Sequence, residues 1–441
     1  MEVGPIQTTS VLDELKSVIP EERITDRVIR DQLGNGGNVI VSPQTEEETA
    51  KLLSYANQTD QTVSIMGAGT KRGYGGLIES TDILLCMKNY HGIVEHVPGD
   101  MTVTVKAGTR FSELQNYLAQ YNQKVPIDPF TPSASTVGGV IAANDSGPKR
   151  LGYGSARDSV IGMRIIYPDG KLIRTGGKVV KNVAGYDMNK LFIGSMGTLG
   201  VISEVTFKLR PIPKCESLVL LTIPEDSLDI IKQFSASLLD SMIEPVALEL
   251  MNPALVETLD GIRNTALAIA FEDVESSVLY QENRIKDMKP DAAEIRIFSE
   301  KDSQEVWKRF YEYPLKESSD LLQSTMKIGA VNMDVLSIIE ETMKLENPGS
   351  LDIQAHGGLG HGLCKVYLKG KPGLVSDAIL QLRKKAEEKG GYATVTHLPL
   401  EYRKEIDVWG EKPPYFFLME GIKKTIDPKR ILNPQRFLGG I

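Results

Sequence analysis

The chain has 441 residues, enough for two or three domains with cores of their own. Its 50 Lys and Arg stand against 58 Asp and Glu, and the formal net charge of −8 argues against a general nucleic-acid binder. The 3 cysteines, Cys86, Cys215 and Cys364, lie too far apart for a zinc or iron–sulfur site and fit a reducing compartment. Met1 to Pro20 has neither the basic stretch nor the apolar core of a signal peptide, and no apolar run approaches the roughly 20 residues of a membrane helix. A cytoplasmic protein without a transmembrane segment is expected.

Thr45 to Asn57 predicts a helix: an N-cap Thr, acidic residues in the first turn, then Ala50, Leu52, Leu53 and Ala56 on one face. It leads into the apolar run Val63-Ser-Ile-Met66 and then a glycine-rich stretch ending at Gly76. The dinucleotide fingerprint needs glycines at its first, third and sixth places, with a helix following. Gly67 and Gly69 fit, but Arg72 holds the sixth place, and the next apolar run, Ile83 to Met87, is short and strand-like. The loop reads as a phosphate cradle of another kind. Met101 to Val105 alternates as a strand, and Thr109 to Tyr121 predicts a helix with Phe111, Leu114, Leu118 and Tyr121 on one face.

A second glycine-rich stretch, Thr131 to Gly147, carries Gly138-Gly139 and then small residues, so few side chains obstruct its backbone N–H groups. A third, Gly194 to Gly200, precedes the strand beginning Val201-Ile202-Ser203. Prolines 211 and 213 end the strand Val205 to Leu209 and mark a boundary. Beyond it come a strand (Leu218 to Ile223), a helix (Ser227 to Leu239), strands at Ala247 to Met251 and Ala266 to Phe271, a helix to about Met288, and the strand Glu294 to Phe298. That order predicts a ferredoxin-like module. It continues with Lys327 to Val331, a helix near Met333 to Leu345, Leu351 to Ala355, Cys364 to Leu368, a helix to about Lys389, and Tyr392 to Thr396. An antiparallel sheet with helices on one face is expected, followed by a helical tail from Pro413.

Gly67-Ala-Gly-Thr-Lys-Arg-Gly-Tyr-Gly75, Thr136-Val-Gly-Gly139 and Gly197-Thr-Leu-Gly-Val-Ile202 together resemble the FAD-binding domain of the vanillyl-alcohol-oxidase or p-cresol-methylhydroxylase type. The resemblance implies noncovalent FAD, because the first loop holds no histidine. Its pyrophosphate would lie on Gly67, Ala68, Gly69, Thr70, Lys71, Arg72, Gly73 and Tyr74. The second stretch would bring Thr136, Val137, Gly138, Gly139, Ala142, Asn144, Ser146 and Gly147 to the pyrophosphate and flavin, and Val201 and Ile202 would stand near the adenine side. Lys71 and Arg72 are either near the pyrophosphate or solvated. The expected fold is α+β: a two-subdomain FAD-binding domain over residues 1–213 (core about 34–213), a ferredoxin-like antiparallel cap over 214–396, and a C-terminal helical segment, 397–441, returning to the FAD domain.

Ser146 to Arg150, Gly154 to Asp158, Gly177 to Asp187 with its KNVAGYD run, Gly391 to Thr394, Val408 to Gly410 and Asp427 to Pro434 are similar to the FAD-binding subunit of bacterial glycolate oxidases. That resemblance implies a subunit oxidising a short 2-hydroxy acid, glycolate or D-lactate, within a complex. Its partners would be a second flavin subunit and an iron–sulfur subunit, since this chain has no cluster cysteines. Lys181, Tyr186 and Asp187 belong to this motif; Tyr186 is either near the flavin or a substrate carboxylate, or a buried tyrosine. His356-Gly-Gly-Leu-Gly-His361 resembles the cap run His-Ala-Gly-Asp-Gly-Asn-Leu-His of hydroxy-acid dehydrogenases, where the histidine helps to bind a metal or takes the hydroxyl proton. Here Leu359, His361 and Leu363 replace the aspartate, asparagine and final histidine, so no metal is assigned. His356 is the expected base, with His361 and His397 as neighbours, and Arg309 or Arg403 is expected to hold the carboxylate. The degraded run also supports an alternative: an FAD-binding assembly or electron-relay subunit without substrate chemistry of its own. A third reading is a stand-alone oxidase.

Overall fold

In the computed structural model, residues 8–178, 186–224, 228–312 and 321–441 are described. Lys181 and most of the KNVAGYD run lie outside them. The helix Glu46–Gln58 starts where expected, because Thr45 and Glu48 form a reciprocal capping box. Leu52, Leu53 and Ala56 bury its inner face against the first sheet. That sheet has the order Ile24–Thr25, Gly36–Val41, Ser80–Cys86, Val63–Met66. Val63–Met66 and Ser80–Cys86 pair in parallel, so the chain must cross over between them. The glycine loop itself makes that crossover, in place of the helix a dinucleotide fold would use.

The second sheet is antiparallel: Ile93–Val97, Thr102–Lys106, Val201–Lys208, Val160–Ile166, Leu172–Gly176. Helix Phe111–Ala119 and the short helix Val137–Ala143 close its core through Phe111, Leu114, Leu118, Val137, Val140 and Ile141.

The third sheet has eight strands in the order Glu294–Ser299, Cys215–Ile223, Thr265–Asp273, Ala247–Met251, Leu351–Gly358, Leu363–Gly370, Leu322–Gly329, Tyr392–His397. Every pairing in it is antiparallel. The α+β class and the antiparallel cap sheet are as expected, but the helices do not all lie on one face. Leu228–Leu239, Glu275–Met288, Val335–Leu345 and Pro372–Glu388 cover one side. Pro253–Asp260 and Glu300–Tyr311, which the strand–helix count passed over, pack on the other through Leu255, Val256, Trp307 and Phe310. They have something to cover there. In the first half of the sheet Leu218, Leu220, Ala266, Ala268 and Ala270 are apolar on this second face, while Val219, Leu221, Leu267 and Ile269 are apolar on the first. In the second half the same face is polar, carrying Thr325, Lys327, His356, Lys365 and Tyr367, and it lines a cavity. No helix among the described residues is long and apolar enough to cross a membrane.

One charged cluster ties the cap sheet to the second sheet's surroundings. Glu272, wholly buried, pairs with Lys124 and Lys149 and accepts from Tyr153. Burial alone would raise the Glu272 carboxyl; the two ammonium groups outweigh it and hold it down at about 2. Glu272→Ala would leave two ammonium groups without their carboxylate and is expected to cost about 3–5 kcal/mol in a denaturant titration. The depressed carboxyl also sets the pH dependence. Its contribution is complete above the unfolded-state value of about 4.3 and is lost as pH falls from there toward 2, so wild type and variant converge in stability at low pH.

Candidate active site

The first glycine loop is held from behind by its carbonyls. Asn35 Nδ2 donates to Arg72 O at 2.7 Å and Gly75 O at 2.9 Å, and Arg436 donates to Tyr74 O at 2.6 Å and Lys71 O at 2.8 Å. Arg403 reaches Gly75 O and Leu33 O. Arg72 is taken up by Asp31 and by Gly34 O at 2.7 Å. The loop thus faces a narrow cavity with Gly67 to Arg72. Gly67 has to be bare: a Cβ there would stand 2.1 Å from Thr136 Oγ1. Gly73 sits against the His397 ring and stays outside the cavity lining.

The second glycine stretch is a helical turn capped by Thr136, whose hydroxyl accepts from Gly139 N. Its residues divide by side. Val137 is core, whereas Thr136, Gly138, Gly139 and Ala142 line the cavity, Gly138 also letting the turn approach Ala107. In the third loop Met196, Gly197 and Gly200 line the cavity with Ile202, whereas the Val201 side chain belongs to the core of the first sheet. Asn433 clips these parts together, accepting from Ile65 N and donating to Met196 O, each at 2.8 Å. Behind it the buried Lys423 donates to Thr198 O at 2.8 Å and to Asp427 at 2.7 Å.

The narrow cavity shares Thr70, Lys71 and Ala143 with a chamber of about 360 Å³ under the polar half of the cap sheet. Asn144, Ser146 and Gly147 form part of its floor, and 3 of the chain's 5 histidines, His356, His361 and His397, reach it. His356 Nδ1 lies 2.5 Å from Glu249 Oε1, and its Nε2 has no hydrogen-bond partner. Burial, then Lys365 and His361, hold the His356 imidazolium well below its ordinary range; burial, then Asp128, push the Glu249 carboxyl well up. His361 Nδ1 accepts from Leu363 N at 3.2 Å, which leaves the proton on Nε2, 3.7 Å from Glu249 Oε2. Burial, with Arg150 nearby, lowers it to about 4. With Glu249 ionised and accepting from Nδ1, His356 offers a lone pair at Nε2 to the chamber, and His361 offers a donor. Lys71 pairs with the buried Asp145 at 2.9 Å, and Lys327 and Lys365 also line the chamber.

Three expected residues are not brought here. Tyr186 is 92% exposed and outside the chamber lining. Arg309 is exposed on its helix, and Arg403 is the backbone clamp of the glycine loop. The cations present are lysines instead. Glu249, Lys327 and Lys365 were missed, although a single Glu in the apolar strand ALELM and lysines alternating within strands were readable signs of a polar sheet face.

The chain matches a family described as FAD binding domain over residues 38–176. It is 26% identical to glycolate oxidase subunit GlcD of Bacillus subtilis over 90% of this chain and 88% of that one. It is 25% identical to a D-lactate dehydrogenase of Anaerostipes hadrus over 97% of each. Glycolate oxidase subunit GlcE of Escherichia coli is 38% identical over 37% of this chain and 47% of its own. The fold is that of p-cresol methylhydroxylase, with a TM-score of 0.71, 14% identity and coverage of 98% of this chain and 97% of the other. Residues 38–176 are an FAD binding domain, and the chain is an FAD-dependent oxidoreductase with the fold of p-cresol methylhydroxylase. The residues present fit that cofactor: bare backbone at Gly67 and Gly139, a continuous cavity past three loops, and unpartnered buried polar atoms on Asn144 and Ser146 where it widens. Gly67→Val should therefore purify without flavin, read as the loss of absorbance near 450 nm relative to protein, while keeping its far-ultraviolet circular dichroism.

Proposed function

We propose that this chain oxidises a short 2-hydroxy acid, glycolate or D-lactate, to the 2-oxo acid. The observation that carries this reading is the Glu249–His356 pair, which presents an unpartnered imidazole nitrogen to the same chamber that opens onto the FAD loops. The relatives named for glycolate oxidase and D-lactate dehydrogenase support the substrate class. FAD, when bound, supplies the acceptor for the hydride on the carbon bearing the hydroxyl. His356 Nε2 takes the hydroxyl proton, and its Nδ1 proton passes to Glu249. Both groups end neutral, the state that burial of each favours. Loss of that proton and of the carbon's hydride leaves a carbonyl, so the step balances.

The chain divides, in this reading, into an FAD domain to residue 213, a cap to 396 and a C-terminal return. Electrons leave through partners, a second flavin subunit and an iron–sulfur subunit, in the cytoplasm. Similarity to both GlcD and GlcE supports a multi-subunit assembly. The relay alternative draws on Leu359, His361 and Leu363, which depart from the hydroxy-acid dehydrogenase run.

Glu249 must be ionised for His356 Nε2 to be free of a proton, so kcat/KM should rise with pH and level off above the raised pKa of Glu249. His356→Gln should lower turnover by about 10²–10⁴-fold and flatten that limb. Unchanged turnover of this variant, measured in the assembled complex, would remove His356 from the chemistry and favour the relay reading.

A further inference from the structure

The chamber carries two cations that the reaction outlined above leaves without a task. Lys365 and Lys327 stand directly opposite one another on neighbouring antiparallel strands, and His356 stands directly opposite Lys365 on its other side. Directly opposed residues of a sheet point to the same face with Cβ atoms about 5 Å apart. His356, Lys365 and Lys327 therefore form one row across three strands, facing the floor made by Asn144 to Gly147.

Among the described residues neither ammonium forms an ion pair, although both are half-buried in the chamber wall. Lys365 Nζ instead lies 3.2 Å from the centre of the Phe130 ring, which steadies a cation without neutralising it. The one carboxylate close to both, Asp145, is bound to Lys71. Arg150 adds a further positive charge beside Lys327 and His361. His356 and His361 are held neutral, Glu249 pairs with His356, and the remaining polar neighbours are Thr325, Thr396 and Tyr367. Two half-buried ammonium groups whose nearest carboxylate is already bound to Lys71 are under-compensated, and an anion placed between them supplies the missing charge.

We infer that Lys365, with Lys327 beside it, is the seat of the substrate's carboxylate. This rests on the 2-hydroxy-acid reading and sharpens it. A carboxylate on the lysine pair places the carbon next to it, with its hydroxyl, one strand over beneath His356 Nε2. A neutral alcohol lacks the group that anchors it. Burial, with Lys71 and Lys327 acting against the pull of Asp145, lowers Lys365 to about 7, and an anion seated beside it favours the charged form.

The test uses the FAD-loaded chain and oxalate, a carboxylate that has no hydride to give. Calorimetric titration at pH 8 in two buffers of different protonation heat should show oxalate binding with net proton uptake, together with a shift in the flavin spectrum; glycolamide, the neutral analogue, should do neither. Lys365→Met with normal flavin content should weaken oxalate at least about tenfold and abolish the uptake. Lys365→Arg should keep the binding and lose the uptake, since a guanidinium stays charged at this pH. Oxalate binding to Lys365→Met with unchanged Kd, or loss of binding in Lys365→Arg, would overturn the assignment. Because oxalate binding requires no turnover, the seat stands or falls separately from the oxidation itself.

Discussion

A β-sheet can be buried on both faces only if both are apolar, and the eight-stranded sheet of this protein obeys that constraint over half its width. Where Leu218, Leu220, Ala268 and Ala270 look outward, helices Pro253–Asp260 and Glu300–Tyr311 cover them. Where Thr325, Lys327, His356 and Lys365 look outward, no apolar helix could cover them without stranding their charges. That polar half has to look into a cavity, and what lies across the cavity is the FAD-binding part of the chain. The position of the chamber, its charge and its access to the flavin loops all follow from a switch of side-chain character midway across one sheet.

The facing wall is built on a different principle. Its loops carry little side chain and would not hold a shape unaided, so they are fixed from behind. Arg403, Arg436 and Asn35 take the carbonyls of the first loop, and Asn433 spans the first and third. Several of these groups come from the last forty residues of the chain, which explains why the C-terminal segment folds back onto the beginning. Their cations serve the backbone, and the cations free to meet a substrate are lysines on the sheet opposite.

Local signals carried most of the architecture. Thr45 and Glu48 mark their helix in the sequence and form its capping box in the structure, and the alternation in the cap strands places Ala247–Met251 at the residues expected. The strand–helix count failed at Pro253–Asp260 and Glu300–Tyr311, short or strongly charged segments whose apolar residues matter only because of the sheet face they meet. Site residues followed the same division. Gly67 and His356 could be read from motifs, because their requirements are local. Glu249, Lys327 and Lys365 become a group only through strand register, which brings together positions more than a hundred residues apart. Arg403 looked like a substrate ligand for want of that register, and its three backbone acceptors show its work to be structural.

The central claim is that a 2-hydroxy acid meets the flavin of this chain inside the chamber. The most direct measurement is the visible spectrum of the purified, flavin-containing chain before and after anaerobic addition of glycolate and then D-lactate. Bleaching of the flavin band by either acid is the predicted result. A flavin that stays oxidised with both acids, alone and with the partner subunits present, would contradict it.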